Sequence, residues 1–416
     1  MSHLVDHISS SARVLPSLDG EYLGIARASG PWLFGEDGRR YVDTAMGYGG
    51  SILGHAHPAV VEASVAAVRN GSLPAFRHAG EERAAAALVE HMRPLDKVIF
   101  TSSGSEAVHL ACRIARTVTG RARVAKMAAG FDGWLDEIAF GNVGTAEADF
   151  ADGARPGNEK TTLLRFNDFE DVERLFAEQD DIAAIIYEPM LANAACLMPA
   201  PGYLEHVQQV ARRHGALLIA DEVLMGFRLH AGLTSHLFEL DPDIATVGKA
   251  IGSGIPVAGV VGKAAVMDDF HAAKGLRGGT YAGNPLACAA VEATMAQLDS
   301  EDYAALEATG AALRRHIGAA FAEQGIAVST SGYGPVFSLW FAAEAPRDYA
   351  QAHRLADGAR ATALHLAVRR HGALIMPSPY GRLYTTFVHD AEAMGVLSDA
   401  FTAAAEALAA EGLAAA

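Results

Sequence analysis

Between about Leu95 and Gly262, short apolar runs alternate with longer stretches whose apolar residues recur at helical spacing. That alternation predicts a mostly parallel sheet wrapped by helices. The runs place strands over residues 97–101, 123–126, 182–187, 216–220, 245–247 and 257–261, with helices in the gaps. One such helix, over 203–214, stops at Gly215, as expected of a C-terminal glycine. Upstream, residues 30–42 read as a hairpin turning on a glycine, followed by a glycine-rich bend through Gly54. Beyond about Ser300, an alanine-rich helix, strands near 336–341 and 383–387, and a terminal helix predict a smaller α+β lobe. The expected division is an N-terminal arm over 1–50 belonging in part to the small domain, a large domain over 51–295 and a small domain over 296–416. The polar stretch 141–160 is long enough for a surface loop or an active-site lid, and equally serves as a plain linker.

A chain of 416 residues and 43.6 kDa exceeds what one core usually holds, which agrees with two lobes. Half its residues are apolar and its net charge is −16, a balance that argues for a soluble protein and against a nucleic-acid surface. Cys112, Cys196 and Cys288 are odd in number and far apart, so neither a disulfide framework nor a cysteine metal site is indicated. The start of the chain carries Asp6 and two histidines without an apolar stretch, and no run reaches ~18 apolar residues. A cytoplasmic protein without membrane partners is therefore expected.

Only six lysines occur, and Lys249 directly follows the apolar run Ile244-Ala245-Thr246-Val247-Gly248. An ammonium at such a place is costly to desolvate, so it is either paired or neutral and nucleophilic toward carbonyl carbon. Asp221 likewise ends the apolar run Ala216-Leu217-Leu218-Ile219-Ala220, at the end of a strand where open α/β sheets bind ligands. It reads as a helix cap, an ion-pair partner, or the acceptor for a protonated heteroaromatic nitrogen. Thr101-Ser102-Ser103-Gly104-Ser105-Glu106-Ala107 ends a strand and opens a helix, with Ser103 and Glu106 spaced as a capping box. The N–H groups of Gly104 and Ser105 and the Ser105 hydroxyl form either a simple cap or a phosphate cradle. A cradle, a buried aspartate and a buried lysine, in that order on three strand ends, match the three handles of pyridoxal phosphate: its phosphate, its ring nitrogen and its aldehyde. His55 and His57 lack companion ligands, so no metal site is expected.

Over nearly its whole length the chain resembles fold-type I pyridoxal-phosphate enzymes of the class III aminotransferase family, in particular the glutamate-1-semialdehyde aminomutase-like branch. The resemblance rests on residues 51–58, Ser103-Gly104-Ser105-Glu106-Ala107, Tyr187-Glu188-Pro189, residues 221–228, residues 248–256, and Gly279-Thr280-Tyr281-Ala282-Gly283-Asn284-Pro285. It implies that Lys249 forms the Schiff base, that Asp221 pairs with the pyridine nitrogen, and that Val223 packs beneath the ring. Within Ser103-Gly104-Ser105 the last two residues would take the phosphate, Phe131 would stack on the ring or else fill core, and Asn193 would lie near the phenolic oxygen or else serve a turn. Thr280 matches the residue that reaches the phosphate of a neighbouring subunit, which implies a homodimer.

The chain also departs from the branch. No residue matches the N-terminal arginine that holds the substrate carboxylate in the mutases, and Gly381 stands where they carry an acid. Arg382 beside it is then either a carboxylate receptor or a surface arginine after a glycine turn. Tyr48 replaces a tryptophan and lines the substrate pocket or fills core. Asp132 stands where histidine or tryptophan is usual, and would meet a substrate group or pair with Arg228. The expected function is an aminotransferase moving an amino group between an amine or amino-acid donor and a keto or aldehyde acceptor. The alternative is an aminomutase or racemase on the same scaffold.

Overall fold

Three apolar segments near the N-terminus and seven in the middle of the chain form the first ten strands of the structure, a computed structural model that describes residues 3, 9–10, 15–150 and 154–412. The early strands are β1 (Ile25–Ser29), β2 (Trp32–Gly35) and β3 (Arg40–Asp43). The central ones are β4 (Lys97–Thr101), β5 (Arg123–Met127), β6 (Thr161–Leu164), β7 (Ile182–Tyr187), β8 (Leu217–Asp221), β9 (Ile244–Val247) and β10 (Ala258–Gly262). Four short strands follow: β11 (Ser329–Tyr333), β12 (Val336–Trp340), β13 (Ala373–Leu374) and β14 (Leu383–Tyr384).

The central sheet runs β4-β10-β9-β8-β7-β5-β6. All its pairings are parallel except those of β10, which lies antiparallel to both β4 and β9. Every residue of β7, β9 and β10 is buried, as befits strands covered on both faces. The sequence patterning anticipates each of these strands except β6. That strand is only Thr-Thr-Leu-Leu, directly after a polar loop, too short to show a period. Chain direction puts the ends of β4, β8 and β9, and hence Thr101, Asp221 and the residues leading to Lys249, on one edge of the sheet.

The expected hairpin is present: β2 and β3 pair antiparallel around a turn in which Gly38 adopts φ 80. Its outer partner is β1, and β3 pairs in parallel with β13 from the far end of the chain. Val42 accordingly shares a core with Leu313, Phe321, Phe337, Leu397 and Phe401. The 20-residue helix Ala391–Ala410 is mostly apolar, and its Leu397, Phe401 and Leu408 are buried in that core. Within 141–160, residues 151–153 lie outside the described residues. Just beyond them Arg155 is locked to Asp171 at 3.0 Å, so this end of the stretch is tied to the helix Phe169–Glu178.

Candidate active site

Lys249 stands immediately beyond β9 with φ 44, a left-handed conformation that costs a non-glycine residue about 1–2 kcal/mol. It is half-buried in the wall of a cavity of about 690 Å³, shared with Ser51, Ser103, Gly104 and Ser253. Among the described residues its amine has no hydrogen bond and no ion pair. Burial lowers its pKa to about 8, against the opposing pull of Asp221; Arg382 and Arg228 lower it further, and Glu188 raises it.

The other buried lysine is its counter-example. Lys126 on β5 is fully buried, and its Nζ donates to Asn142 Oδ1 at 2.5 Å and to the carbonyl of Ile138 at 2.9 Å, and pairs with Asp132 at 2.9 Å. This corrects the expectation for Asp132. Its carboxylate is buried and pairs with Lys126 rather than with Arg228 or a group in the pocket, because residues 130–142 fold back over the end of β5.

Asp221 is buried, and its Oδ1 accepts from the N–H of Val223 and from Thr246 Oγ1, both at 3.0 Å. It has no cation partner among the described residues. Burial raises its pKa to about 7, and Asp132 adds to that. Glu188, which the sequence reading quoted in a motif without assigning it a task, is buried beside both acids. It accepts from the N–H of Phe131 at 2.9 Å, and burial, then Asp132 and Asp221, push its pKa well above the carboxylate range. Its hydrogen bond sets the backbone of Phe131, a residue that is 39% exposed.

Ser103 caps the helix Gly104–Thr119, its Oγ accepting from Glu106 N at 3.3 Å, while Glu106 Oε2 accepts from Ser102 N at 2.7 Å. The expected capping box therefore closes one residue early. A Cβ on Gly104 would lie 2.7 Å from Val223 Cγ1, so glycine is what lets Val223 pack directly against the helix start, and Gly104 also lines the Lys249 cavity. The Ser105 hydroxyl faces Gly133, where a Cβ would approach it to 3.0 Å. Asn193 is half-buried in the turn Ala192–Ala194, and Tyr48 is half-buried with φ 57. Thr280 is exposed and does not line the Lys249 cavity. His55 is accounted for by Asp43, whose Oδ2 lies 2.8 Å from its Nε2.

Arg382 is buried, which corrects the surface reading: Nε donates to Tyr384 Oη at 3.0 Å and Nη1 to the Ala192 carbonyl at 3.4 Å. Arg228 is buried on the other side of Tyr384, its Cζ 5.1 Å from the ring centroid. No carboxylate pairs with either arginine among the described residues.

The residues present fit pyridoxal phosphate. A buried acid without a cation among the described residues suits a protonated ring nitrogen, an amine without partners there suits a carbonyl carbon, and a helix start whose Gly104 lines the same cavity as Lys249 suits a phosphate. Comparison with known proteins points the same way. Residues 17–375 match the family described as aminotransferase class-III. The chain is 35% identical over 400 residues to a glutamate-1-semialdehyde 2,1-aminomutase of Nitratidesulfovibrio vulgaris, covering 94% of each chain. It is 36% identical over 354 residues to that of Rhodopirellula baltica, covering 83% of this chain and 81% of the other. Among solved structures, the glutamate-1-semialdehyde-aminomutase of Pseudomonas aeruginosa PAO1 superposes with TM-score 0.83 at 28% identity, over 93% of this chain and 88% of that one. An omega-transaminase from Sphaerobacter thermophilus gives TM-score 0.83 at 27% identity, over 94% and 92%. The fold is thus that of the fold-type I transaminases, and the chain belongs to the class III aminotransferase family of pyridoxal-phosphate-dependent enzymes.

Proposed function

We propose that the protein is an aminotransferase that moves an amino group from an amine or amino-acid donor to a keto or aldehyde acceptor. The observation that carries this reading is the amine of Lys249, which stands beside the cavity with no partner among the described residues and with its pKa lowered to about 8, while the Nζ of Lys126 is bonded to Asp132, Asn142 and the Ile138 carbonyl. When bound, pyridoxal phosphate supplies an electrophilic carbon and an electron-withdrawing ring. Asp221 would hold the proton on the ring nitrogen, and Lys249 Nζ would take a proton from the substrate carbon and return it elsewhere, which requires the neutral amine. Gly104 and Ser105 would bind the phosphate by N–H groups and a hydroxyl at the positive end of the helix, with the Ser103 cap holding that helix start in place. Val223 and Phe131 would hold the ring, and Asn193 would bind its phenolic oxygen. Tyr48 lines the substrate side. Arg382 receives a substrate carboxylate, since it is a buried guanidinium without an anion of its own.

A homodimer completes this picture. Leu276 and Tyr281 are 73% and 62% exposed and flank the exposed Thr280 in the chain. A two-fold partner covering this segment would bring its Thr280 to the phosphate. The proposed division remains an arm over 1–50, a large domain over 51–295 and a small domain over 296–416.

Lys249→Ala tests the assignment. Borohydride reduction should fix cofactor to the Lys249 peptide of the wild type and to no peptide of the variant, with the variant still retaining cofactor on gel filtration. Label on another lysine would displace Lys249 from its role. The relatives named as aminomutases favour a second reading, intramolecular amino transfer on the same scaffold. Isomerisation of an amino compound without any keto acid would select it.

A further inference from the structure

Ser51, in the glycine-rich bend that follows β3, is 5% exposed and lines the cavity that holds Lys249. Its Oγ lies 3.5 Å from Nδ1 of His55, which lines the same cavity. Behind the imidazole, His55 Nε2 is 2.8 Å from Oδ2 of the buried Asp43, whose Oδ1 accepts from the N–H of Ala45 at 2.7 Å. The aspartate is thus held through both oxygens. None of the roles assigned so far uses the serine.

The order of these three groups fixes the direction of the hydroxyl. A carboxylate only accepts, so the neutral imidazole carries its proton on Nε2 toward Asp43 and presents Nδ1 as an acceptor. Ser51 then donates its single proton to Nδ1, and its oxygen has only lone pairs left to offer. Gly47 and Gly254 line the cavity too, and a Cβ on them would lie 3.4 Å and 3.9 Å from Ser51 Oγ. Glycine at both places leaves the wall bare beside the oxygen. No other hydrogen-bonding group reaches that hydroxyl among the described residues. A serine standing alone turns its proton to suit either kind of partner, whereas Ser51 loses its bond to His55 if it turns. The cavity therefore carries a fixed acceptor at this point.

An acceptor calls for a donor on the ligand, and the remaining wall says which kind. No carboxylate lines this cavity among the described residues; its polar side chains other than Lys249 are hydroxyls and imidazoles, Ser103, Ser253 and His57 among them. A second ammonium on the substrate would be stripped of water without an anion to meet it, while a hydroxyl needs only the acceptor. We infer that Ser51 is a specificity-determining residue and that the amino donor is a hydroxylated amine, whose hydroxyl donates to Ser51 Oγ while its amine stands at Lys249. This deepens the aminotransferase reading and rests on it. His55 and Asp43 set the direction of the Ser51 hydroxyl, and the reaction itself gains no further step.

Amines in which a terminal hydroxyl takes the place of a methyl group test the inference: ethanolamine against propylamine and, one methylene longer, propanolamine against butylamine. Each is mixed with holoenzyme at low concentration while the cofactor's absorption is followed. In at least one pair the hydroxylated amine should react about fivefold faster or more, as one hydrogen bond allows. Ser51→Ala should abolish that preference, and Ser51→Thr, which keeps the hydroxyl, should retain it. Equal rates within both pairs in the wild type overturn the inference. So does a preference that survives Ser51→Ala, and a variant slowed equally toward both members of a pair would make Ser51 a support for the bend only. If Ser51→Thr does not fold, the wild type and Ser51→Ala decide. Failure of the aminotransferase reading has a different signature: no amine, hydroxylated or not, would then change the cofactor's spectrum, and the inference would fall with it.

Discussion

Two lysines in apolar runs look alike in the sequence, and their partners separate them. Lys126 ends inside a set of acceptors contributed by residues 130–142, whereas Lys249 ends at a cavity wall with none. Asp221 is the second residue held in an unsettled state, and its pKa of about 7 carries a sign that can be measured. The unfolded chain releases this proton near the ordinary aspartate value of 3.8, whereas the folded, cofactor-free protein keeps it until about 7. Between those values the folded state binds more protons, so this group's contribution makes folding less favourable as pH rises. Asp221→Asn lacks the effect. Denaturant unfolding of the cofactor-free proteins should therefore show the variant gaining on the wild type from about pH 4 to about pH 7 and holding its lead above that. A lead that shrinks with rising pH would mean that the acid already has a cation. Lys249 and Asp221 were legible before the structure because each ends an apolar run. The environments of Asp132 and Arg382 were not, because what decides them is a neighbour brought in by folding: Lys126 for the first, Tyr384 and the Ala192 carbonyl for the second.

At the scale of elements, the site is made where β4, β8 and β9 end on one edge and the chain turns into a helix or a tight bend. The close packing of Val223 against the start of the helix Gly104–Thr119 depends on a missing methyl group, because a Cβ at 104 would press on Val223 Cγ1. Gly104→Ala should therefore weaken cofactor retention by about tenfold or more, corresponding to ~1.4 kcal/mol, and Val223→Ala in the same chain should recover part of the loss. Equilibrium dialysis against pyridoxal phosphate measures both, and independent, additive losses would show that the contact between the two residues does not govern retention. The buried strands were readable because their whole length is apolar, as in β7, while β6 was hidden by its four residues and a polar approach. The capping box was readable from Ser103 and Glu106, but the glutamate's return bond to Ser102 instead of Ser103 depends on local geometry that spacing does not specify.

For the whole molecule, the hairpin of β2 and β3 could be read locally, but its parallel partner β13 lies more than 300 residues away, and no local pattern announces such a pairing. The exposed segment bearing Leu276, Thr280 and Tyr281 raises the question of a second copy. Leu276→Asp, at an exposed position, should leave the single chain folded but shift it from dimer to monomer in sedimentation, with cofactor released more readily because Thr280 of the other copy is withdrawn. A wild type that sediments as a monomer while holding cofactor would refute the shared site. The central claim, that the amino group leaves one molecule and waits on the cofactor for another, is tested most directly by mixing holoenzyme with a single amino donor and no acceptor. The account predicts one equivalent of keto product per site, a lasting change in the cofactor's absorption, and recovery of the first spectrum only when a keto acid is added, with none of this in Lys249→Ala. Continued turnover of the donor into an isomer, without any acceptor, would contradict it.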